Sequence, residues 1–307
     1  MTDTTAARLT ITPDGDFSLA AAASFGFGPN TGRPKPDEDS MSLAFVADDL
    51  EHHAAAFVTQ DARGVLDCRI FGEAEPDMVL SQLRRVLSLD QSGAAWAAVG
   101  SRDPVIGRLQ SEFPGLRPVL FHSPYEAAAW SILSQRRHRT QATAVRRRLS
   151  AAHGHVFSLP GGELEAFPTP RALLAVDAFP SLEPQRMERL HAIARAALDG
   201  RLDPARLLAM EPEEAMAALQ ELPGIGPMNA MLILLRSTGA TDILTLGEPR
   251  IPSYIRHFYG LAGPAAPAQI SSLAEAWRPF RTWACVLIRV AGDRDGVALE
   301  AQTGGGR

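Results

Sequence analysis

The chain has 307 residues, 46% of them hydrophobic and 21% charged, with a formal net charge of −5. This composition predicts two globular domains with sizeable cores and excludes a disordered chain, and no apolar run approaches the roughly 18 residues that span a bilayer. Two cysteines, Cys68 and Cys285, exclude a disulfide framework, a four-cysteine zinc site and a four-cysteine iron–sulfur cluster. Met1–Thr10 has no apolar segment to serve as a signal peptide, so the expected compartment is the reducing cytoplasm.

The charge is unevenly spread. Residues 1–117 hold 17 acidic and 10 basic residues, whereas residues 118–292 hold 15 acidic and 18 basic ones. The first part reads as mixed α/β. A short apolar stretch over Arg8–Pro13 is followed by a Pro-, Gly- and acid-rich segment, Thr31–Ser40, that reads as a loop. Met41–Ala47, Ala54–Thr59 and Val65–Phe71 read as strands, with a turn at Ala62-Arg63-Gly64. Pro76–Leu89 reads as a helix with Met78, Leu80, Leu83, Val86 and Leu87 on one face. Asp103-Pro104 is an N-cap and first-turn pair opening a second helix that ends at Phe113. Pro114-Gly115 closes this domain near Arg117.

Residues 118–292 read as almost all helix. Segments with helical periodicity are Tyr125–Gln135, Thr140–Ala152, Arg171–Val176, Glu183–Asp199, Asp203–Ala209, Glu213–Glu221, Met228–Thr238, Pro252–Tyr259, Ile270–Ala276 and Phe280–Val290. Residues 293–307 form a tail whose Gly-rich end, Ala301–Arg307, is expected to lack fixed structure.

The most informative stretch joins two of these helices. After Leu222 comes Pro223-Gly224-Ile225-Gly226-Pro227, and an apolar helix runs on from Met228. Gly224 and Gly226 permit positive φ in a tight bend, Ile225 can plug between the helices, and Pro227 suits the first helical turn. Such a bend aims backbone amides outward at a helix N-terminus, an arrangement suited to a phosphate. By itself Gly-x-Gly equally fits a connector that binds nothing.

The flanking segments narrow the choice. Thr241–Arg250 (with Leu246-Gly247-Glu248-Pro249), Ala274–Ala284, Ser123-Pro124-Tyr125-Glu126-Ala127 with Ala129–Gln135, and Phe167-Pro168-Thr169-Pro170 follow in a fixed order. Together with the bend, this order resembles the helix–hairpin–helix superfamily of DNA glycosylases, and within it the DNA-3-methyladenine glycosylase II family, over about 120–290. The resemblance implies an α+β fold: an N-terminal antiparallel sheet with helices, similar to one half of the TATA-binding protein, followed by an all-α helix–hairpin–helix domain. It implies double-stranded DNA as partner, no membrane, a monomer, and excision of a flipped, alkylated purine.

The family places a catalytic aspartate just after the second hairpin helix, and the matching residue here is Glu248. A carboxylate there stabilises the positive sugar of the transition state. Glu248 also suits the start of a helix before Pro249, and Asp242 reads as a turn cap. The bifunctional branch uses a hairpin lysine. Met228 stands at that position, and Lys35 is the only lysine in the chain, so hydrolysis without lyase chemistry is expected. The resemblance places Gly224, Ile225, Gly226 and Met228 on DNA, with Gln135 and Arg137, and puts Arg136 in the gap left by the flipped base. It lines the base pocket with Met228, Leu232, Arg289 and Trp130. A cationic base stacks on aromatics and is repelled by an arginine, so a 3-methyladenine specialist, a neutral-lesion enzyme and a silent DNA binder all stay open. Trp277, Phe280 and Trp283 read as core.

Six arginines between Arg136 and Arg148, with no acid among them, read as a phosphate-contacting face. His122, His138, His153 and His155 lack metal-ligand spacing, so no catalytic metal or cofactor is expected. A monovalent cation on hairpin carbonyls is the one option the family leaves.

Overall fold

The computed structural model describes residues 5–25, 40–160, 162–244, 248–263 and 265–298. The loop expected over Thr31–Ser40 lies outside them except for Ser40, as do Lys35, Thr245, Leu246, Gly247 and the Ala301–Arg307 tail. In chain order the elements are β1 (Ala7–Ile11), α1 (Leu19–Ser24), β2 (Ser40–Val46), β3 (His53–Gln60), β4 (Leu66–Gly72), α2 (Pro76–Val86), α3 (Gly93–Arg102), α4 (Pro104–Glu112), α5 (Pro124–Ser134), α6 (Arg139–His153), β5 (His155–Leu159), β6 (Gly162–Ala166), α7 (Pro170–Leu174), α8 (Pro184–Leu198), α9 (Pro204–Ala209), α10 (Pro212–Gln220), α11 (Pro227–Ser237), α12 (Ile251–Tyr259), α13 (Pro267–Ala274) and α14 (Arg281–Arg294), with a 3₁₀ turn at Glu275–Trp277. The fold is α+β.

Two compact units result. One holds the residues up to Gln91 together with Arg117–Ala240, and the other holds Ser92–Leu116 with the residues from Thr241 onward. One break falls at Arg117, where Pro114-Gly115 places a boundary, but the grouping joins Arg117–Ala240 to the residues up to Gln91 and sets Ser92–Leu116 apart from them.

In the first unit a four-stranded antiparallel sheet runs in the order β1-β4-β3-β2. The alternation of strand residues sends Leu43, Phe45, Ala54, Ala56, Val58, Cys68 and Ile70 to one face, where they pack with Val79, Leu83 and Val86 of α2. The buried face of α2 is Val79, Gln82, Leu83 and Val86, while Met78 and Leu80 only border that core. Gln82 is tolerated inside because its amide is satisfied: it accepts from Asp48 N at 3.1 Å and donates to the Val46 and His122 carbonyls at 3.1 Å each.

The other face of the sheet, with Ala44, Ala55 and Phe71, is covered by Phe157, Leu159, Leu164 and Ala166 of the β5–β6 hairpin. That hairpin corrects the all-helical reading of this region. Its strands have five residues each, too few for a strong periodic signal.

Helix α5 is buried almost all round, and Ser123 caps it by accepting from Glu126 N at 3.2 Å. Glu126, in its first turn, is only 1% exposed at its side chain. It accepts from Val46 N of β2 at 3.1 Å and from Arg146 of α6 at 2.8 Å, and lies 3.2 Å from His122 Nδ1. Burial alone would raise its pKa; His122, Arg146 and the Val46 amide together hold it at about 2.

In the second unit Asp103 caps α4 through Val105 N and Ile106 N, and its other oxygen accepts from Tyr259 Oη at 2.6 Å and Trp277 Nε1 at 2.8 Å. Trp277, Phe280 and Trp283 are buried as expected, and the last two pack against Trp96, Phe280 tilted and Trp283 edge-on. Helix α12 lies so close to α14 that a Cβ on Gly292 would meet the Tyr254 ring at 2.3 Å.

Candidate functional site

The bend between α10 and α11 has the shape the residues suggest, with one change. Gly224 takes φ of +89°, but Gly226 has φ of −92° and ψ of 177°, which any residue can adopt. A Cβ at Gly224 would come within 2.9 Å of Arg189 Cδ and 3.0 Å of Ile132 Cδ1, whereas one at Gly226 would meet nothing within 4 Å. Gly224 is thus required by conformation and packing, and Gly226 is not required by its own chain. Ile225 is 4% exposed and wedged inward, and its N–H donates to the Leu222 carbonyl at 3.0 Å. Its contribution to any outward surface is backbone only.

Pro227 opens α11 and Gly226 caps it without a side-chain acceptor. The Met228 and Asn229 amides therefore point out of the helix end with no intrahelical carbonyl to meet. Met228 itself is 43% exposed, one of few large apolar side chains so placed among the described residues.

Gln135, at the end of α5, reaches the bend. Its Nε2 donates to the Gly224 carbonyl, and its Oε1 accepts from Arg189 at 3.0 Å. Arg186 in turn donates to the Ile132 carbonyl at 2.6 Å and the Gln135 carbonyl at 3.3 Å. Gln135 is thus a tie within the protein, and its side-chain groups are committed there. The next residue, Arg136, is exposed and sits at φ of +51°, a left-handed conformation that costs a non-glycine residue on the order of 1–2 kcal/mol.

Four further arginines of the cluster have partners within the protein. Arg137 is 14% exposed and donates to the Ser181 carbonyl, with Glu183 at 3.6 Å. Arg146 is buried on Glu126, Arg147 pairs with Glu165 at 2.9 Å, and Arg148 donates to Ser181 Oγ at 3.2 Å. Their partners come from distant segments, which a local count of arginines cannot see. Leu232 and Trp130 are half-buried.

In the second unit Glu248 precedes α12 and its side chain is 21% exposed. Its Oε2 accepts from Arg250 N at 3.0 Å and its Oε1 lies 3.4 Å from Arg250 Nε. Arg250 also donates to both oxygens of Asp293, at 3.2 and 3.3 Å. Asp293 accepts from Tyr254 Oη at 2.7 Å and lies 3.5 Å from Arg289 Nη2. Glu248 and Arg289 therefore belong to one network. Burial alone would raise the Asp293 pKa, but Tyr254, Arg289 and Arg250 lower it. Burial lowers the Arg289 pKa, and the nearby Arg250 charge adds to this. Neither Arg250, Tyr254 nor Asp293 stood out in the sequence; the i, i+4 spacing of Arg289 and Asp293 was the available signal. Asp242 accepts from Arg278 at 2.9 Å and Arg281 at 2.7 Å, a structural anchor at the start of α14.

A cleft of about 240 Å³ lined by Glu51, His52, His53, Gly72, Glu73, His155 and Phe157 contains none of these residues. Among the described residues no three His, Cys, Asp or Glu side chains are grouped to hold a metal ion.

No family model matches the sequence. DNA-3-methyladenine glycosylase 2 of Escherichia coli (strain K12) is 33% identical over 188 residues, which span 60% of this chain and 63% of that protein. DNA-3-methyladenine glycosylase of Bacillus subtilis (strain 168) is 20% identical over 226 residues, 71% of this chain and 73% of that one. The match to the first of these relatives thus covers less than two thirds of its length. Among solved structures, 3-methyladenine DNA-glycosylase from Archaeoglobus fulgidus is similar with a TM-score of 0.72 at 18% identity, over 93% of this chain and 98% of that one.

Proposed function

We propose that the chain is a helix–hairpin–helix DNA glycosylase, as its likeness to DNA-3-methyladenine glycosylase 2 supports, and that it acts as a monofunctional DNA N-glycosylase of base-excision repair. It flips a damaged, alkylated purine out of duplex DNA and hydrolyses the N-glycosidic bond. The observation that carries this reading is the bend itself: an uncapped helix N-terminus beside exposed Gly226 and Met228, tied through Gln135 to the exposed, left-handed Arg136. The Met228 and Asn229 amides take a DNA phosphate, the Gly224, Ile225 and Gly226 backbone shapes the grip, and Arg136 fills the gap left by the base. Glu248 stabilises the sugar cation. Met228, Leu232 and Trp130 line the base pocket.

Met228 at the position of the lyase lysine, with Lys35 the one lysine of the chain, supports hydrolysis without strand nicking. The protein works as a cytoplasmic, nucleoid-associated monomer without an obligatory cofactor, and its sheet corresponds to one half of the TATA-binding protein. A monovalent cation on the carbonyls of the bend is compatible with this chemistry.

A second reading, a DNA binder with little or no catalysis, is favoured by the engagement of both Glu248 oxygens with Arg250. Incubating the protein with duplex DNA carrying methylated purines, then heating in alkali to cut at abasic sites, decides between them. Release of bases supports the enzyme; salt-dependent DNA binding without release supports the silent binder.

A further inference from the structure

We propose that Arg250 and Asp293 are positioning residues that hold the Glu248 carboxylate in place. The inference rests on the reading of Glu248 given above. A glutamate has one more rotatable bond than the aspartate of the family, so a free side chain would spread its charge over several rotamers. A misplacement of roughly 1 Å costs on the order of 10²-fold in a positioned reaction. Here both oxygens are pinned by one residue: the Arg250 N–H at 3.0 Å on Oε2 and the Arg250 Nε at 3.4 Å from Oε1. The backbone donor is fixed by the start of α12, where Tyr254 N bonds to the Arg250 carbonyl at 2.9 Å. A carboxylate offers about four lone-pair sites, so two remain for the sugar.

The guanidinium is itself held. Asp293 takes Arg250 Nη1 on both oxygens, and the Tyr254 hydroxyl fixes Asp293 at 2.7 Å. The bare Cα of Gly292 is what lets the Tyr254 ring lie close against α14 beside that carboxylate. Asp293 also has an electrostatic task. A guanidinium against Glu248 weakens the field that a sugar cation would feel, and a second carboxylate on the far side of that guanidinium restores it. Arg289, at 3.5 Å, is the more distant cation on Asp293.

The test is single-turnover base release from methylated-purine duplex DNA by the full chain, beside DNA affinity. Asp293→Asn is expected to slow release on the order of 10²-fold with DNA affinity unchanged. Arg250→Lys, which keeps the charge but loses the fork, is expected to slow it as well. Tyr254→Phe removes one hydroxyl without a charge and is expected to slow release about fivefold, the worth of one hydrogen bond; it carries the test if Asp293→Asn fails to fold. In a Glu248→Gln background Asp293→Asn should cost nothing further. Full-rate release by Asp293→Asn and Tyr254→Phe, with Glu248→Gln inactive, overturns the positioning role and leaves Glu248 standing. A further loss in the Glu248→Gln background marks a merely structural role and also overturns it. Full release by Glu248→Gln, or none by the unaltered protein, overturns both readings.

Discussion

The Gln135 side-chain amide donates to the Gly224 carbonyl, so the end of α5 and the bend before α11 are held together by one side chain from 89 residues away. Both of its polar ends are used, the other by Arg189. Gln135→Ala leaves that carbonyl and the Arg189 guanidinium without their partner, at a cost of about 1–3 kcal/mol. We expect a lowered Tm and weaker DNA binding at fixed salt. Unchanged affinity would mean the bend needs no such tie.

The two glycines of the bend are expected to behave differently. Gly224→Ala forces a side chain into positive φ and against Arg189 and Ile132, costing about 1–3 kcal/mol. Gly226→Ala has ordinary backbone angles and open space, so thermal melts should show no loss of stability. A Cβ there faces whatever binds outside, and a drop in DNA affinity at unchanged Tm would identify Gly226 as a contact.

Arg136 offers a trade between stability and function. Arg136→Gly relieves the left-handed backbone and should raise stability by about 1 kcal/mol, read as an increase in Tm. The same substitution removes the side chain proposed to fill the flipped-base gap, so base release should fall. Gains in both would contradict the role assigned to it.

Acid should act through Glu126. Its pKa is depressed from 4.5 to about 2, so the network is worth on the order of 3 kcal/mol above pH 4.5. That stability is fully present at neutral pH and is lost as pH falls from about 4.5 towards 2. Glu126→Gln should be strongly destabilised at pH 7, because it leaves Arg146 buried beside a neutral group. The difference from the unaltered protein should shrink across that acid window. A difference independent of pH would show that packing, not charge, dominates at this position.

Much of the fold was legible because the chain marks its own helix starts. Nine described helices begin on a proline, among them α4 after Asp103 and α11 after Gly226. β2, β3 and β4 were equally visible from their apolar runs. The β5–β6 hairpin was not, since its short strands alternate too briefly to outweigh the helical context. Helix α3 was missed because Gly93–Arg102 is rich in alanine and glycine, with little periodic contrast. For the site, the bend between α10 and α11 was readable as a local motif. In the arginine cluster, the partners of Arg137, Arg146, Arg147 and Arg148 come from Glu183, Glu126, Glu165 and Ser181 elsewhere in the chain, which a local pattern does not encode. The Arg250–Asp293 support of Glu248 depends on α12 meeting α14, which no local pattern encodes.

The most direct measurement is base release from methylated-purine duplex DNA by the unaltered chain and by Glu248→Gln, which keeps the shape and removes the charge. The account expects abasic sites with the unaltered protein and a loss of at least about 10²-fold in Glu248→Gln, with DNA binding retained. Equal release by both proteins, or none by either, would contradict it.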